Sequence, residues 1–246
     1  MKTFAHAEKR AAAFTLIELL TVIAIIGILA SLLLVVIPRV ITAAKVHTAK
    51  IQIAELVTAI GAYETAYSRY PVSQAVQKIA NPDFTYGGIF HTPTGFVTVG
   101  TSVGTGILTN DQIIAVLMSF TNYPGTMRLT SDANDQANPQ KINFITSPKL
   151  TGDTSSPGVG SDLVYRDPWG NPYVISLDLN DDGWCEDDFY KAAAISGGGI
   201  NGLILQPDGN YAFHGKIMVW SAGPDGKVNQ SVSANQGENK DNVLSW

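Results

Sequence analysis

The stretch Asp178-Leu179-Asn180-Asp181-Asp182-Gly183 has the residue types and spacing of a calcium loop. Asp178, Asn180 and Asp182 fill the first, third and fifth places, and Gly183 fills the sixth, as at the opening of an EF-hand loop. Such a loop gathers carboxylate and amide oxygens around a hard cation. Its twelfth place, where a bidentate acid belongs, is Phe189, with Asp187 and Asp188 just before it. The flanking segments do not read as helices, so a solvated acidic turn is the competing reading. Other chemistries find little support. His6, His47, His91 and His214 lie far apart, and no H-E-x-x-H, G-x-S-x-G or phosphate-loop pattern occurs. Gly197-Gly198-Gly199 precedes Ile200-Asn201-Gly202, not a helix start. No residue is assigned a catalytic role. Cys185 is the only cysteine, so no intrachain disulfide forms, and it reads as a small semi-buried residue.

A second chemically pointed residue is Glu18, the only charge between Phe14 and Ile37. A carboxylate in hydrocarbon costs about 2.5–3.5 kcal/mol at a helix centre and less near the interface. No cationic side chain shares the segment, so a partner must come from elsewhere. One candidate is the α-amino group of Phe14 in a neighbouring subunit, freed if the chain is cut between Ala13 and Phe14. The alternative is a Glu snorkelling to water.

The element carrying Glu18 is an apolar helix. Residues 14–37 span roughly 36 Å at ~1.5 Å per residue, enough to cross a bilayer core. Lys2, Lys9 and Arg10 precede it and keep that end cytoplasmic, so the remainder faces the far side. A secretory signal has a shorter apolar region with small residues behind it; here Ala11, Ala12 and Ala13 stand in front. Beyond Pro38, which should kink or loosen the helix, the pattern turns amphipathic. Val46, Ala49, Ile53, Leu56, Ile60, Tyr63 and Tyr67 form one face, and Tyr70-Pro71 ends the helix. A helix over 14–69 is some 80 Å long at ~1.5 Å per residue. An apolar first half followed by a half-buried second half suits a filament whose core is a bundle of such helices.

Downstream, Asn110-Asp111-Gln112 opens a capped helix of about ten residues by its cap chemistry. Ile142–Ile145 reads as a short strand, and 151–161 as a loop. Strands are expected at 163–165, 173–177, 211–214 and 216–220, forming an antiparallel meander on the amphipathic helix face.

Phe14-Thr15-Leu16-Ile17-Glu18-Leu19-Leu20 closely resembles the prepilin cleavage and methylation motif of type IV pilins and type II secretion pseudopilins. The resemblance implies that a prepilin peptidase cuts before Phe14 and N-methylates it. It also implies that Glu18, the fifth mature residue, pairs with a neighbouring N-terminus. The family usually has Gly where this chain has Ala13, and its Pro usually falls a few residues before Pro38. Asp167-Pro168-Trp169-Gly170-Asn171-Pro172-Tyr173 and Ser221-Ala222-Gly223-Pro224-Asp225-Gly226 resemble the heads of major pseudopilins. In calcium-binding members the loop after the last strand holds the metal. That resemblance points to Asp225, with Glu238, Asp241 and Ser221 as further ligands, against a turn whose Asn and Asp side chains cap backbone.

The implied fold is α+β and pilin-like: a long N-terminal helix, its first half transmembrane, packed on a C-terminal antiparallel sheet with a loop-rich insertion. The expected divisions are a leader (1–13), an assembly helix (14–37), an amphipathic helix (38–70) and a head (71–246). The implied function is a filament subunit, most nearly of a type II secretion pseudopilus. Its partners would be further copies, minor pseudopilins, the peptidase and an inner-membrane assembly platform. The head would lie on the periplasmic side of a bacterial inner membrane. The alternatives are a type IV pilus pilin for adhesion, motility or DNA uptake, and a tethered calcium- or glycan-binding module. The net charge of -5 argues against general nucleic-acid affinity.

Overall fold

The computed structural model of the chain describes residues 14–78, 83–133 and 136–246. In order come α1 (Leu16–Tyr67), α2 (Gln74–Gln77), β1 (Asp83–Tyr86), β2 (Gly88–Thr92), β3 (Gly95–Val99), β4 (Ser102–Val103) and β5 (Gly106–Ile107). There follow α3 (Asp111–Leu117), β6 (Gly158–Val159), β7 (Tyr165–Arg166), β8 (Val174–Asp178), β9 (Trp184–Cys185) and α4 (Ala193–Ser196). The last are β10 (Ile204–Leu205), β11 (Tyr211–His214), β12 (Ile217–Ser221) and β13 (Val243–Leu244). Two compact units emerge, Met1–Ala43 and Ala44–Trp246.

The described part of the first unit is the start of α1. It is long and apolar enough to cross a membrane, with a mean hydropathy of 3.1 over its best window and nothing burying it. Its hydroxyls return to the helix backbone: Thr21 Oγ1 donates to Glu18 O (3.0 Å) and Ser31 Oγ to Ile28 O (2.7 Å). Each is thereby satisfied without water, as hydrocarbon requires. The helix runs on through Pro38. Pro38 removes one backbone donor, yet helical geometry resumes at once, and Thr42 Oγ1 donates to Pro38 O (3.1 Å).

In the second unit, α1 buries Ala49, Ile53, Leu56, Ala59, Ile60 and Tyr63, with Val46 and Tyr67 at the margin. This is the face expected from the three-and-four spacing. It packs on an antiparallel sheet of order β1-β8-β12-β13. Side chains alternate along each strand, so Ile175, Leu177 and Val219 meet the helix while Val174, Met218 and Trp220 enter a second core behind the sheet. That second core holds Phe189, Tyr190 and Cys185, and Tyr190 meets Trp220 edge-on at 5.2 Å. β8 is therefore buried on both faces along its whole length, its Ser176 and Asp178 included. The outer edge of β1 is covered: Thr101 N–H donates to Thr85 O, and Thr85 N–H to Thr101 Oγ1, both 2.9 Å.

The insertion differs most from expectation. Residues 142–145 are not a strand, because Phe144 N–H is drawn to Leu117 O at the end of α3 (2.8 Å). Buried Asn138 fixes the same segment, donating through Nδ2 to Ile142 O (2.7 Å) and accepting Ile142 N–H on Oδ1 (3.1 Å). Helix α3 is shorter than expected, since Ser119 turns left-handed (φ 54) just beyond it. Asn110 does not cap it. Its side chain instead donates to Tyr165 O (2.9 Å) and Tyr173 O (2.7 Å) and accepts Tyr165 N–H (2.8 Å). The strand expected at 163–165 starts at Tyr165, because Leu163 is also left-handed (φ 60).

Candidate functional site

At the head of α1, Phe14 is 75% exposed. Thr15 stands just before the helix and Glu18 lies in its first turn. Thr15 N–H donates to Glu18 Oε2 (2.8 Å), as does Thr15 Oγ1 (2.7 Å), and Glu18 N–H donates back to Thr15 Oγ1 (3.3 Å). This is a reciprocal capping box, with Thr at the cap and Glu three residues on. Glu18 thus has a partner within its own chain, the one that its T-x-x-E spacing marks. Both contacts fall on Oε2, leaving Oε1 to meet another donor. The leader, including Ala13, lies outside the described residues.

In the head, the two family-like motifs join through Asp167, which has no exposed surface. Its Oδ1 accepts Trp169 N–H and Asn171 N–H, both at 2.9 Å. Its Oδ2 accepts Ser221 Oγ (2.5 Å) and Asn171 Nδ2 (3.3 Å). Asn171 Nδ2 also reaches Gly223 O (3.3 Å). Ser221 Oγ is occupied on both sides, since it accepts Gly223 N–H (3.0 Å). Asp225 Oδ1 accepts Lys227 N–H (2.9 Å), and Glu238 Oε2 accepts Asn229 Nδ2 (3.2 Å). Asp241 Oδ1 is buried without a partner. Burial, then the negative charge of Asp225, holds that carboxyl above its usual range. Of the four residues expected to share a cation, Ser221, Asp225 and Glu238 each have another partner, and Asp225 lies near enough to Asp241 to raise its carboxyl. Gly223 has φ 68, and an added Cβ would lie 2.2 Å from Asp241 O. Gly223→Ala should therefore cost about 1–3 kcal/mol from the left-handed backbone alone, with the clash added. A lower melting temperature of the full chain in detergent would register it.

The Asp178–Gly183 loop is the turn between β8 and β9. Asp178 Oδ2 accepts Gly183 N–H (2.9 Å), and Gly183 is left-handed (φ 84). Asn180 Nδ2 donates to Asp182 Oδ2 (2.8 Å), and Trp184 N–H to Asp182 Oδ1 (2.8 Å). Strands, not helices, flank it. Among the described residues no three His, Cys, Asp or Glu side chains stand in a metal-holding group. Asp83 is the register partner of Asp178, and its Oδ2 accepts Glu186 N–H (2.5 Å). Burial, with the charges of Asp178, Glu186 and Asp182 added, raises the Asp83 carboxyl to about 7.

Asp187, marked in the sequence only by its place before Phe189, is wholly buried. It accepts Ser176 Oγ (2.6 Å) and Trp220 Nε1 (3.0 Å) on Oδ2, and Phe189 and Tyr190 N–H (both 2.9 Å) on Oδ1. Cys185 is fully buried, which pushes its thiol well up and makes it unreactive.

Residues 9–34 match the family described as the prokaryotic N-terminal methylation motif, the prepilin-type motif of type IV pilins and pseudopilins. No curated protein and no solved structure matches the chain. The match covers the motif and the start of α1; a motif of this kind implies prepilin peptidase processing and filament assembly in general, and the long apolar helix that carries it fits membrane anchoring.

Proposed function

We propose that the chain is a structural subunit of a type II secretion pseudopilus, held in the bacterial inner membrane with its head on the periplasmic side until assembly. The observation that carries this reading is the capped, unburied helix end, where Phe14 is exposed and Glu18 keeps one oxygen free. Cleavage before Phe14 gives a cationic N-methylamine. In a low-dielectric bundle, that cation and a neighbour's Glu18 attract strongly, and an unpaired carboxylate there is costly. The pair therefore sets the register of each incoming subunit, and an assembly motor supplies the work of extraction. The joined DPWGNPY and SAGPDG motifs support the secretion branch over the pilus branch. Asp225 and Asp241 would hold calcium in the C-terminal loop, whose charge would offset the two facing carboxylates.

Intact-mass measurement of the membrane-extracted protein should give a chain beginning with N-methylated Phe14. A chain that keeps Met1 would overturn the filament reading. Depleting the protein should halt export of folded proteins and leave surface pili in place. Loss of pili with export intact would move it to the type IV pilus branch.

A further inference from the structure

Asp83 and Asp178 sit directly opposite each other on the paired strands β1 and β8. Their side chains therefore leave the same sheet face, with Cβ atoms about 4.5–5.5 Å apart. Two positions along, the next pair on that face is Thr85 and Ser176, whose hydroxyls meet at 2.9 Å. Asp178 has no exposed surface and Asp83 only 9%. Each carboxyl has one oxygen bonded to a backbone N–H, Gly183 for Asp178 and Glu186 for Asp83. In each the other oxygen, Oδ1, is buried without a partner. Two ionised carboxylates so placed would repel across the ladder and leave two acceptors stripped of water.

The charged groups around the pair are committed elsewhere. Lys216, whose backbone O accepts the Asp178 N–H (3.0 Å), is held at Nζ by Glu64 (2.9 Å) and Asp181 (2.8 Å). Lys191 is held by Asp188 (3.1 Å). Glu186 and Asp208 both accept from Asn210 Nδ2, at 3.1 and 2.8 Å. Asp182 accepts from Asn180 and from Trp184 N–H, and Asp187 is filled by its four donors. Burial keeps the Cys185 thiol and the Tyr70 hydroxyl neutral. Among the described residues no three acids stand close enough to hold a metal ion. A proton is the positive charge small enough to lie between the two free oxygens.

We propose that Asp83 and Asp178 hold one proton between their Oδ1 atoms, a carboxylic acid on one strand donating to the carboxylate on the other, and that this proton fastens the edge strand β1 to β8. A hydrogen bond to an ionised acceptor is among the strong ones. On release one O–H bond breaks, the proton passes to water, and two carboxylates are left facing each other. Asp83 lines two cavities, of about 570 and 260 Å³, which give that proton a way out. Burial raises the Asp83 carboxyl against the lowering pull of the Glu186 N–H, and the charges of Asp178, Glu186 and Asp182 add to it, bringing it to about 7. The folded chain thus keeps a proton that the unfolded chain gives up near pH ~4. Its contribution to stability is complete below about pH 4, declines as pH rises and is lost above about 7. The clasp is separate from the C-terminal loop and does not depend on the filament reading.

Thermal unfolding of the full chain in detergent micelles, between pH 5.5 and 8.5, provides the test. Asp83→Asn keeps the shape and offers Asp178 an N–H at every pH, so it should lack this part of the pH dependence. Over that range the wild type should lose roughly 4–8 °C more in melting temperature than the variant. At pH 8.5 the variant should melt at or above the wild type. Infrared difference spectra across the same range should show a protonated-carboxyl carbonyl band lost from the wild type and missing from both Asp83→Asn and Asp178→Asn. The same pH dependence in wild type and Asp83→Asn overturns the proposal, as does an equal band loss in all three proteins. A wild type in which no protonated carboxyl titrates between pH 5.5 and 8.5 overturns it whether or not the variants fold.

Discussion

Glu18→Ala should leave the protein in the membrane fraction and abolish its entry into filaments. Insertion does not depend on the carboxylate, because the apolar helix spans without it and a central charge only adds about 2.5–3.5 kcal/mol of cost. Assembly does depend on it, if it is the group that meets the neighbour's N-terminus. Alanine also removes the capping box, a separate loss of about 1 kcal/mol at the first turn. Two further variants separate these roles. Glu18→Gln keeps a capping acceptor and loses the charge; Thr15→Ala keeps the charge and loses the cap. Counting subunits in sheared filaments should find none for Gln and near-normal numbers for Thr15→Ala. Normal incorporation of Glu18→Gln would refute charge pairing and leave the carboxylate a capping residue only.

Asp187→Ala should be the most damaging single change in the head. It strands four donors at once: the Ser176 hydroxyl, the Trp220 indole and the amides of Phe189 and Tyr190. Each buried donor left unsatisfied costs on the order of 1–3 kcal/mol, partly relieved by relaxation, so a loss of about 3–5 kcal/mol is expected. For a unit of this size that lowers the melting temperature by roughly 6–20 °C. Thermal unfolding followed by near-ultraviolet circular dichroism, where Trp220 and Tyr190 report, would measure it. A fall of under 1 °C would show that water replaces the carboxylate.

The N-terminal half of the architecture was legible because one helix carries its own pattern. The spacing from Val46 to Tyr67 named the buried face, and 211–214 came out as β11 to the residue. The insertion was not legible because polar side chains, not periodicity, shape it. Asn110 looked like a helix cap and instead bridges Tyr165 and Tyr173; Asn138 holds an irregular segment that apolar content alone made strand-like. Left-handed turns at Ser119 and Leu163 occur at residues with no such preference, so no local signal marked them. At the candidate sites, Glu18 stood out by charge, whereas its bond to Thr15 required reading T-x-x-E as one unit. Asp83 could not be tied to Asp178 from the sequence, since the link is a pairing register across 95 positions of chain.

The four-stranded sheet ends in β13, only two residues long, and at β1, whose outward Thr85 groups are taken by Thr101. Open strand edges template the addition of further strands, which is how crowded β proteins aggregate irreversibly. In a filament such as the one proposed, copies of the head would be crowded together. A covered β1 and a two-residue β13 leave this sheet little open edge for a second copy to pair with. Contacts between copies would then rest on side chains, which separate more readily than a shared strand ladder.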